Sequence, residues 1–204
     1  MTRFMKGLYL AVAFLAAGFS LSATSARAQD IYVVDGGRTT MTLTKGFIDT
    51  LANLNIVPTA GNTSQLYDGV IDFPITSGAI SLKTASGQLV HSGGINLTMG
   101  AKVVHLDSFI INTLSDTPFV TALVVVDGKF VGRIKLFDVE LPSDLTLPIV
   151  PHDGDFFLSG VKLTLDEEAA TTLNQAFSVK TFTAGSNIAH SLSLVFVPLT
   201  ADTL

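Results

Sequence analysis

Residues 86–98, Ser-Gly-Gln-Leu-Val-His-Ser-Gly-Gly-Ile-Asn-Leu-Thr, are the stretch on which the predicted fold depends. A turn signal at Ala85-Ser86-Gly87 opens the stretch, and the residues from Gln88 return along the preceding strand, so they predict the central hairpin of a β domain. The Gly93-Gly94 pair predicts a β-bulge in the returning strand. The stretch also contains His91, a candidate ligand-binding residue because a neutral imidazole is a common metal ligand.

Strands and a loop are predicted before this stretch. Residues 31–34 are β-branched and aromatic and predict a first strand that returns at residues 39–43. Residues 59–64 are small and polar and predict a loop. Apolar residues alternate along 69–75, which predicts a strand with one apolar face. Because Pro74 has no N–H to donate to a ladder, we expect this strand at the edge of a sheet.

The downstream half predicts further antiparallel strands. Residues 119–126 and 129–136 flank Asp127-Gly128, the strongest hairpin signal in the chain. A two-residue turn there pairs Val126 with Lys129 and predicts one shared apolar face, formed by Leu123, Val125, Phe130 and Ile134. At Leu136-Phe137 the alternation changes phase, which predicts a bulge or the end of pairing.

Two short helices are predicted, each after a similar strand. Thr44 is placed to cap a helix over residues 45–54, where apolar residues recur every three or four positions. Thr164-Leu165-Asp166 repeats the pattern before a second helix, after a proline-rich crossover at residues 141–151. The predicted fold class is therefore mainly β, or β-rich α+β. We expect antiparallel strands with two short helices in a sandwich-like or partly closed barrel arrangement.

The N-terminus predicts export. Residues 1–28 combine Arg3 and Lys6, an apolar run and an Ala26-Arg27-Ala28 cleavage site, the pattern of a secretory signal peptide. The alternative, a retained membrane anchor, is disfavoured because the apolar run falls short of the roughly 20 residues that span a bilayer. We expect residues 29–204 to form a single β-rich domain in the periplasm, at the cell surface or outside the cell.

Composition excludes several classes of function. Removal of residues 1–28 deletes three basic residues and no acidic one, so the net charge changes from −5 to −8. Nucleic acid is therefore not an expected partner, since its phosphates require a basic surface. The chain has no cysteine, which excludes disulfides, thiolate metal sites and a cysteine nucleophile.

Catalysis is not predicted. His105 and Asp107 share a strand face, residues 152–155 offer oxygen ligands, and Asp138 and Glu140 are spaced as a carboxylate pair. Each of these groups is better explained as a solvated strand face or an ordinary turn. The sequence contains no nucleophile elbow, zinc-protease motif or phosphate-binding glycine loop. We therefore expect a binding or structural protein and not an enzyme.

The order of these elements resembles the haem-transport-associated (HtaA) domain of exported bacterial proteins, over about residues 31 to 199. The residues that carry the resemblance are Val90-His91-Ser92-Gly93, which is similar to the family's Gly-His-x-Gly turn, Leu163-Thr164-Leu165 at a helix start, and Phe182-Thr183-Ala184-Gly185 before the last strand. Val90 stands where the family usually has glycine. The resemblance implies a β-rich fold that binds haem.

The resemblance also implies a ligand set. In the family, a tyrosine on the first helix holds haem with help from the turn histidine, which His91 matches. Thr50 stands where that tyrosine is expected, so Tyr32 and Tyr67, the tyrosines remaining after residue 28, are the candidate partners of His91. Haem is the candidate cofactor, although the residues alone require none. The implied function is a cell-envelope binding module for haem or another apolar ligand; the alternative is a structural or surface-interaction β domain without a small ligand.

Overall fold

The computed structural model describes residues 31–198. The predicted signal peptide, residues 1–28, lies outside this range. No helix between residues 31 and 198 is long and apolar enough to cross a membrane.

The described chain consists mainly of antiparallel strands with two short helices. In chain order the elements are β1 (Ile31–Val33), β2 (Gly36–Leu43), α1 (Lys45–Asn53), β3 (Val57–Gly61), β4 (Gln65–Tyr67), β5 (Val70–Ser81), β6 (Gly87–His91), β7 (Gly94–Met99), β8 (Lys102–Asn112), β9 (Phe119–Val126), β10 (Lys129–Glu140), β11 (Asp155–Leu165), α2 (Glu167–Phe177) and β12 (Asn187–Phe196).

Eight of these strands close into a barrel. Neighbouring strands pair in the order β5, β2, β12, β11, β10, β9, β8 and β6, and β6 pairs again with β5. The remaining strands extend this barrel, because β1 and β4 pair with β5, β7 pairs with β8, and β3 pairs with β7. The predicted fold class is confirmed, and a closed antiparallel barrel replaces the sandwich alternative.

Apolar side chains fill the barrel from both ends. At one end, the core includes Leu51 of α1 and Leu173 and Phe177 of α2. At the other end, Val195 and Phe156 pack with residues of the crossover after β10. Helix α1 begins at the predicted cap, where the Thr44 side chain accepts a hydrogen bond from the Phe47 N–H. Asp166 caps α2, because its side chain accepts a hydrogen bond from the Glu168 N–H.

The turn predictions are confirmed more often than the pairing predictions. The Asp127-Gly128 hairpin has the expected register, with Val126 opposite Lys129, and a register shift occurs at the expected Leu136-Phe137 position. The predicted bulge at Gly93-Gly94 is absent: Ser92 and Gly93 separate β6 from β7, and Gly94 is the first residue of β7. Gly93 has φ +81°, and a Cβ there would collide with Ser64 Oγ.

Three predictions about pairing are wrong. The first strand does not pair with β2 but with β5. Part of the predicted loop at residues 59–64 belongs to β3, because residues 57–61 find backbone partners on β7. Pro74 lies on β5, which has neighbours on both sides and is no edge strand. The missing N–H is tolerated because Pro74 falls between the β4 pairing, which ends at Asp72, and the β6 pairing, which begins at Ile75.

The face predicted for the β9–β10 hairpin is also wrong. Ile134 points into the barrel, where it is buried, whereas Phe130 is exposed. An extra register shift between Phe130 and Gly132 causes the difference, since one inserted residue moves all following side chains to the opposite face. The inward side chains of β9 are Val120, Ala122 and Val124.

Candidate functional site

His91 lies inside the barrel and not in an open turn. It is the last residue of β6, and its side chain is 3% exposed. Its Nε2 is 2.7 Å from Thr39 Oγ1, which is itself 2.8 Å from Ser193 Oγ. Its Nδ1 is 3.3 Å from the Phe109 carbonyl oxygen. The side chain of His91 therefore joins β6 to β2 and β8, and Thr39 extends the network to β12.

The hydrogen bonds of His91 determine its tautomer and its charge. A carbonyl oxygen can only accept, so Nδ1 carries the proton and Nε2 accepts from the Thr39 hydroxyl. Desolvation by burial lowers the pKa of His91 from 6.5 to about 4, against the opposing effect of its backbone hydrogen bonds. His91 is therefore neutral at physiological pH.

The space beside His91 is small. The adjoining cavity has a volume of about 30 Å³ and an apolar lining that includes Met41, Phe73 and Phe137. This volume is enough for a water molecule, whereas small-molecule sites usually measure about 300–1,000 Å³. Both ring nitrogens of His91 already have protein partners, so the interior position provides no free ligand atom.

The three residues of the predicted ligand set are not brought together. All lie on strands beside β5, where Tyr32 is opposite Ile80, His91 is opposite Ile75, and Tyr67 is opposite Val70. Consecutive partners on β5 are five positions apart, which corresponds to about 16 Å along a strand. Tyr67 is 84% exposed, and Tyr32 packs against the core at the far end of the barrel. The ligand role of these residues stays a prediction.

The other polar groups noted in the sequence are explained by local contacts. His105 Nδ1 donates to Asn96 Oδ1 over 2.6 Å, and Asp107 accepts from the Asn62 amide. Residues 152–155 form a turn closed by two backbone hydrogen bonds. Within residues 31–198, no three histidine or acidic side chains are grouped to hold a metal ion.

Asp138 and Glu140 each pair with a lysine. Lys162 Nζ lies 2.9 Å from Glu140 Oε2, and Lys135 Nζ lies 2.6 Å from Asp138 Oδ1. The hydrogen bond to Asp138 and the nearby Asp166 raise the pKa of Lys135. The two carboxylates thus belong to separate surface ion pairs and do not act on one site.

A larger groove lies on the outside, between the start of α1 and the segment before β12. Its volume is about 350 Å³, which falls in the range of small-molecule sites. The groove is lined by apolar groups and by hydroxyl and amide groups, namely Gly46, Phe47, Thr50, Leu165, Thr181, Phe182, Thr183, Ser186, Asn187 and Ile188. Below we call it the α1 groove.

Local chemistry explains the shape of the α1 groove. Thr44 Oγ1 caps α1 and also donates to the Asn187 carbonyl oxygen over 2.9 Å, so it joins the helix to β12. Phe47 and Phe182 meet with ring centroids 6.4 Å apart and form the apolar floor. A Cβ on Gly46 would meet no atom within 4 Å, so this face of the helix is open.

Thr50, where the family's tyrosine is expected, lines the α1 groove. Its Oγ1 donates to the Gly46 carbonyl oxygen over 2.9 Å, which is an ordinary contact of a helical threonine. Thr50 therefore occupies the position at which the resemblance implies a tyrosine, but it lacks the phenolic oxygen that would bind a ligand.

Sequence reasoning missed His190. This exposed residue of β12 has Nε2 3.5 Å from Nδ2 of Asn187, a residue of the groove lining. No recognisable motif surrounds His190 in the chain. Its place at the rim depends on the pairing of β12 with β2 and β11, which joins segments far apart in the chain.

Comparison with known proteins identifies the architecture. No protein-family model and no curated protein matches the chain. Among solved structures, the C-terminal domain of HtaA from Corynebacterium glutamicum has a TM-score of 0.62 at 18% identity, with 82% of this chain and 99% of that domain covered. The N-terminal domain of the same protein has a TM-score of 0.58 at 11% identity, covering 80% and 99%.

A third match is the haem-binding protein HtaB from the same organism, with a TM-score of 0.50 at 10% identity and coverage of 82% and 95%. These identities are low, so the likeness concerns the fold. The described chain therefore has the HtaA-like fold, a closed eight-stranded barrel with two short helices.

Proposed function

We propose that this protein is an exported cell-envelope module that binds haem or another planar apolar ligand in the α1 groove. The observation that carries the proposal is the groove itself, which combines a volume of about 350 Å³ with an aromatic floor and Thr50. The fold likeness to HtaB, a haem-binding protein, supports the choice of ligand. Export is supported by the signal-peptide pattern of residues 1–28.

The residues of the groove fit haem in part. The open face at Gly46 admits a flat ring beside Phe47, and the threonine hydroxyls offer hydrogen bonds at the edge. The axial tyrosine is missing, because Thr50 has no phenol. His190 lies beside the groove, with its Nε2 3.5 Å from Nδ2 of the lining residue Asn187, so its imidazole is the candidate replacement. Bound haem would supply an iron with an axial position that an imidazole can occupy.

Titration with ferric haemin tests this function. We expect purified protein, expressed from the full chain, to shift the Soret band of haemin at a one-to-one ratio. Metal-free protoporphyrin IX serves as the second probe, because it reports ring binding without an axial bond. An unchanged haemin spectrum at excess protein would contradict the haem version of the proposal.

Three variants locate the site. A Cβ at Gly46 meets no atom within 4 Å, so Gly46→Trp should be accepted there and its indole should fill the α1 groove and abolish binding of both probes. His190→Ala should remove the Soret shift but leave protoporphyrin bound. Thr50→Tyr restores the family's phenol and should tighten haemin binding. The matched control is His105→Ala, an exposed strand histidine that does not line this groove.

The sequence-based ligand set is tested in the same titration. His91→Gln, Tyr32→Phe and Tyr67→Phe remove the predicted ligand atoms one at a time. If any of these variants lost haemin binding while folded and Gly46→Trp did not, the site would lie at that residue and not in the α1 groove.

A second candidate function, surface interaction without a small ligand, is favoured by the crossover after β10. Val150 is 81% exposed and Leu147 is 45% exposed there, beside a second groove of about 390 Å³. Apolar surface of this kind marks interaction sites. Absence of binding to both porphyrins, together with a partner retained by wild type and lost in Val150→Asp, would favour this function.

A further inference from the structure

A second groove lies at the end of the barrel opposite the α1 groove, beside the crossover between β10 and β11. Its volume is about 390 Å³, which falls in the range of small-molecule sites. The lining consists of crossover residues between Pro142 and Val150, together with Phe157 and Ser159 of β11. Below we call it the crossover groove. The function proposed for the α1 groove makes no use of this site.

The walls of the crossover groove are held by the protein's own packing. Leu145 and Ile149 pack against the core at this end of the barrel. The Ile149 N–H donates to the Leu82 carbonyl oxygen over 2.7 Å, and the Leu145 N–H donates to the Pro142 carbonyl oxygen over 3.1 Å. The rings of Pro142 and Pro148 further restrict the backbone. The crossover groove is therefore pre-formed, as ligand sites usually are.

Phe157 provides an exposed aromatic surface in the crossover groove. Its neighbours Phe156 and Leu158 are buried in the core, so the alternation along β11 directs the Phe157 ring outward, where it is 59% exposed. The face of an aromatic ring is electrically negative and attracts cations. Val150, which is 81% exposed, adds apolar surface. The groove thus combines an aromatic face with an apolar wall.

The charge of the crossover groove is negative. Asp144 is its one ionisable lining residue in the part of the chain that the structure describes. Asp155 lies two positions before Phe157, on the same outward face of β11. Neither carboxylate belongs to an ion pair within residues 31–198. A cationic ligand is therefore complementary in charge to this groove.

The cations of this region lie outside the lining. Lys162 Nζ is 2.9 Å from Glu140 Oε2, so its charge is already paired. Lys83 lies in the turn between β5 and β6. Arg38 belongs to β2, which β12 separates from β11, so the two backbones are about 10 Å apart. Because none of the three lines the groove, Asp144 is the charged group that a bound ligand meets.

We propose that the crossover groove binds an apolar organic cation, such as an aromatic or alkylated ammonium compound. Asp144 provides the opposite charge, the ring of Phe157 receives the cation on its face, and Val150 contacts the apolar part. This inference is independent of the α1 groove. The ligand is a small cation, so it is neither an anionic porphyrin nor the protein partner considered for this surface.

Fluorescence titration with berberine, a planar apolar cation, tests the inference. We expect protein expressed from the full chain to bind berberine at a one-to-one ratio. Asp144→Asn should weaken binding about 5-fold, the scale of a partly exposed ion pair. Phe157→Leu should also weaken it about 5-fold, because leucine keeps the apolar contact but has no ring face. Asp144→Glu keeps the charge and should bind as the wild type does.

Matched controls remove the same groups elsewhere. Asp68→Asn removes an exposed carboxylate at the α1 end of the barrel, where φ is +49° and asparagine is tolerated. Phe130→Leu removes a 68% exposed ring from β10, outside the groove lining. Both variants should bind berberine as the wild type does. Urea unfolding of each variant shows whether it is folded under the conditions of the titration.

A charge pair at one position separates charge from apolar contact. Val150→Lys and Val150→Asp lose the same apolar contact and differ in the sign of the charge that they add. The lysine variant should bind berberine at least about 5-fold more weakly than the aspartate variant. Equal affinity of the two variants would show that the groove does not select a cation, and the proposed ligand class would be wrong.

Other results would also overturn the inference. These are an absence of saturable berberine binding by the wild type, unchanged affinity in both Asp144→Asn and Phe157→Leu, and equally tight binding of an apolar anion, anilinonaphthalene sulfonate, in the same groove. Gly46→Trp should bind berberine normally whatever haemin does, because the two grooves lie at opposite ends of the barrel. Loss of berberine binding in Gly46→Trp would assign the cation to the α1 groove.

A protein partner is the competing occupant of the crossover groove. If the wild type did not bind berberine but retained a partner that Val150→Asp lost, the groove would belong to the surface-interaction function. That result would overturn the inference and leave the α1 groove untouched.

Discussion

In the middle of β12, at residues 191–194, the two faces differ in the opposite sense from what their surroundings would suggest, although Ala189 and Val195 on either side are buried as expected. The inner face carries Ser191 and Ser193 in a closed, apolar interior, whereas the outer face carries Leu192 and Leu194 toward solvent. Inside, the Ser193 hydroxyl is satisfied through Thr39 and His91. Outside, Leu192 is 39% exposed and Leu194 is half-buried opposite Phe157. Polarity alone therefore does not identify a binding site. A buried polar group whose hydrogen bonds are complete has a structural role, whereas an exposed apolar group is free to contact a ligand or partner.

The largest expected effect is a loss of stability in acid, caused by His91 inside the barrel. His91 has a pKa of about 4 when folded and about 6.5 when unfolded, so the unfolded state binds the extra proton first. Stability from this group is complete above pH 6.5 and is lost as the pH falls from 6.5 to 4. We expect a loss of about 3 kcal/mol in the free energy of unfolding, at 1.36 kcal/mol per pKa unit.

Urea denaturation between pH 8 and pH 4 measures this loss, and His91→Gln isolates it from the carboxylates. Glutamine can hydrogen bond but cannot be protonated in this range, so the variant should lack the His91 contribution. If the free energy of unfolding depended equally on pH in wild type and variant, burial would not disfavour the protonated form of His91.

Thr39→Val should have the next largest effect. Valine has nearly the same shape, but it removes the hydroxyl that joins His91 to Ser193. Leaving buried polar groups without partners costs about 1–3 kcal/mol. Urea unfolding at pH 7.5 measures the change, with Thr42→Val on the exposed face of β2 as control. If Thr39→Val and Thr42→Val were equally stable, the inward hydroxyl would contribute no more than the outward one, and the contrast between the two faces would be lost.

Thr44→Ala tests the junction between β12 and the α1 groove. The variant loses the N-cap of α1 and the hydrogen bond to the Asn187 carbonyl oxygen. We expect a loss of about 1 kcal/mol in thermal or urea unfolding, the usual value for such a cap. Thr44→Ser keeps both contacts and should restore stability; a serine variant as weak as the alanine variant would contradict the role of the hydroxyl.

Leu192→Ser should have the smallest effect on stability. Because Leu192 already contacts solvent, the change should stay within about 0.5 kcal/mol. A loss of 2 kcal/mol or more in urea unfolding would mean that the outer face belongs to the core, and the comparison between the two faces would fail.

Features set by neighbouring residues were predictable from the sequence. The Asp127-Gly128 turn, the Thr44 helix cap and the phase change at Leu136-Phe137 were all expected, and each depends on local backbone chemistry. The mainly β class with two helices follows from the same local signals.

Features set by distant pairing were not predictable. Alternation shows that β12 has two faces but cannot say which one enters the barrel, since the pattern is the same after a flip. One extra residue near Val131 reversed the faces expected for the hairpin. The α1 groove combines residues near 46 and 187, which no motif connects. His91 was found as an unusual residue, but only its contacts with Thr39 and Phe109 reveal the interior setting.

The pairing of β2 with β12 has a consequence for the order of folding. These strands lie near opposite ends of the chain, and the Thr39–Ser193 contact joins positions 154 residues apart. Contacts this distant in sequence form slowly, because a long loop must close first. Until β12 is present, β2 and β11 each keep an open edge, the condition in which strands of different molecules pair. By covering these two edges, β12 protects the chain against aggregation.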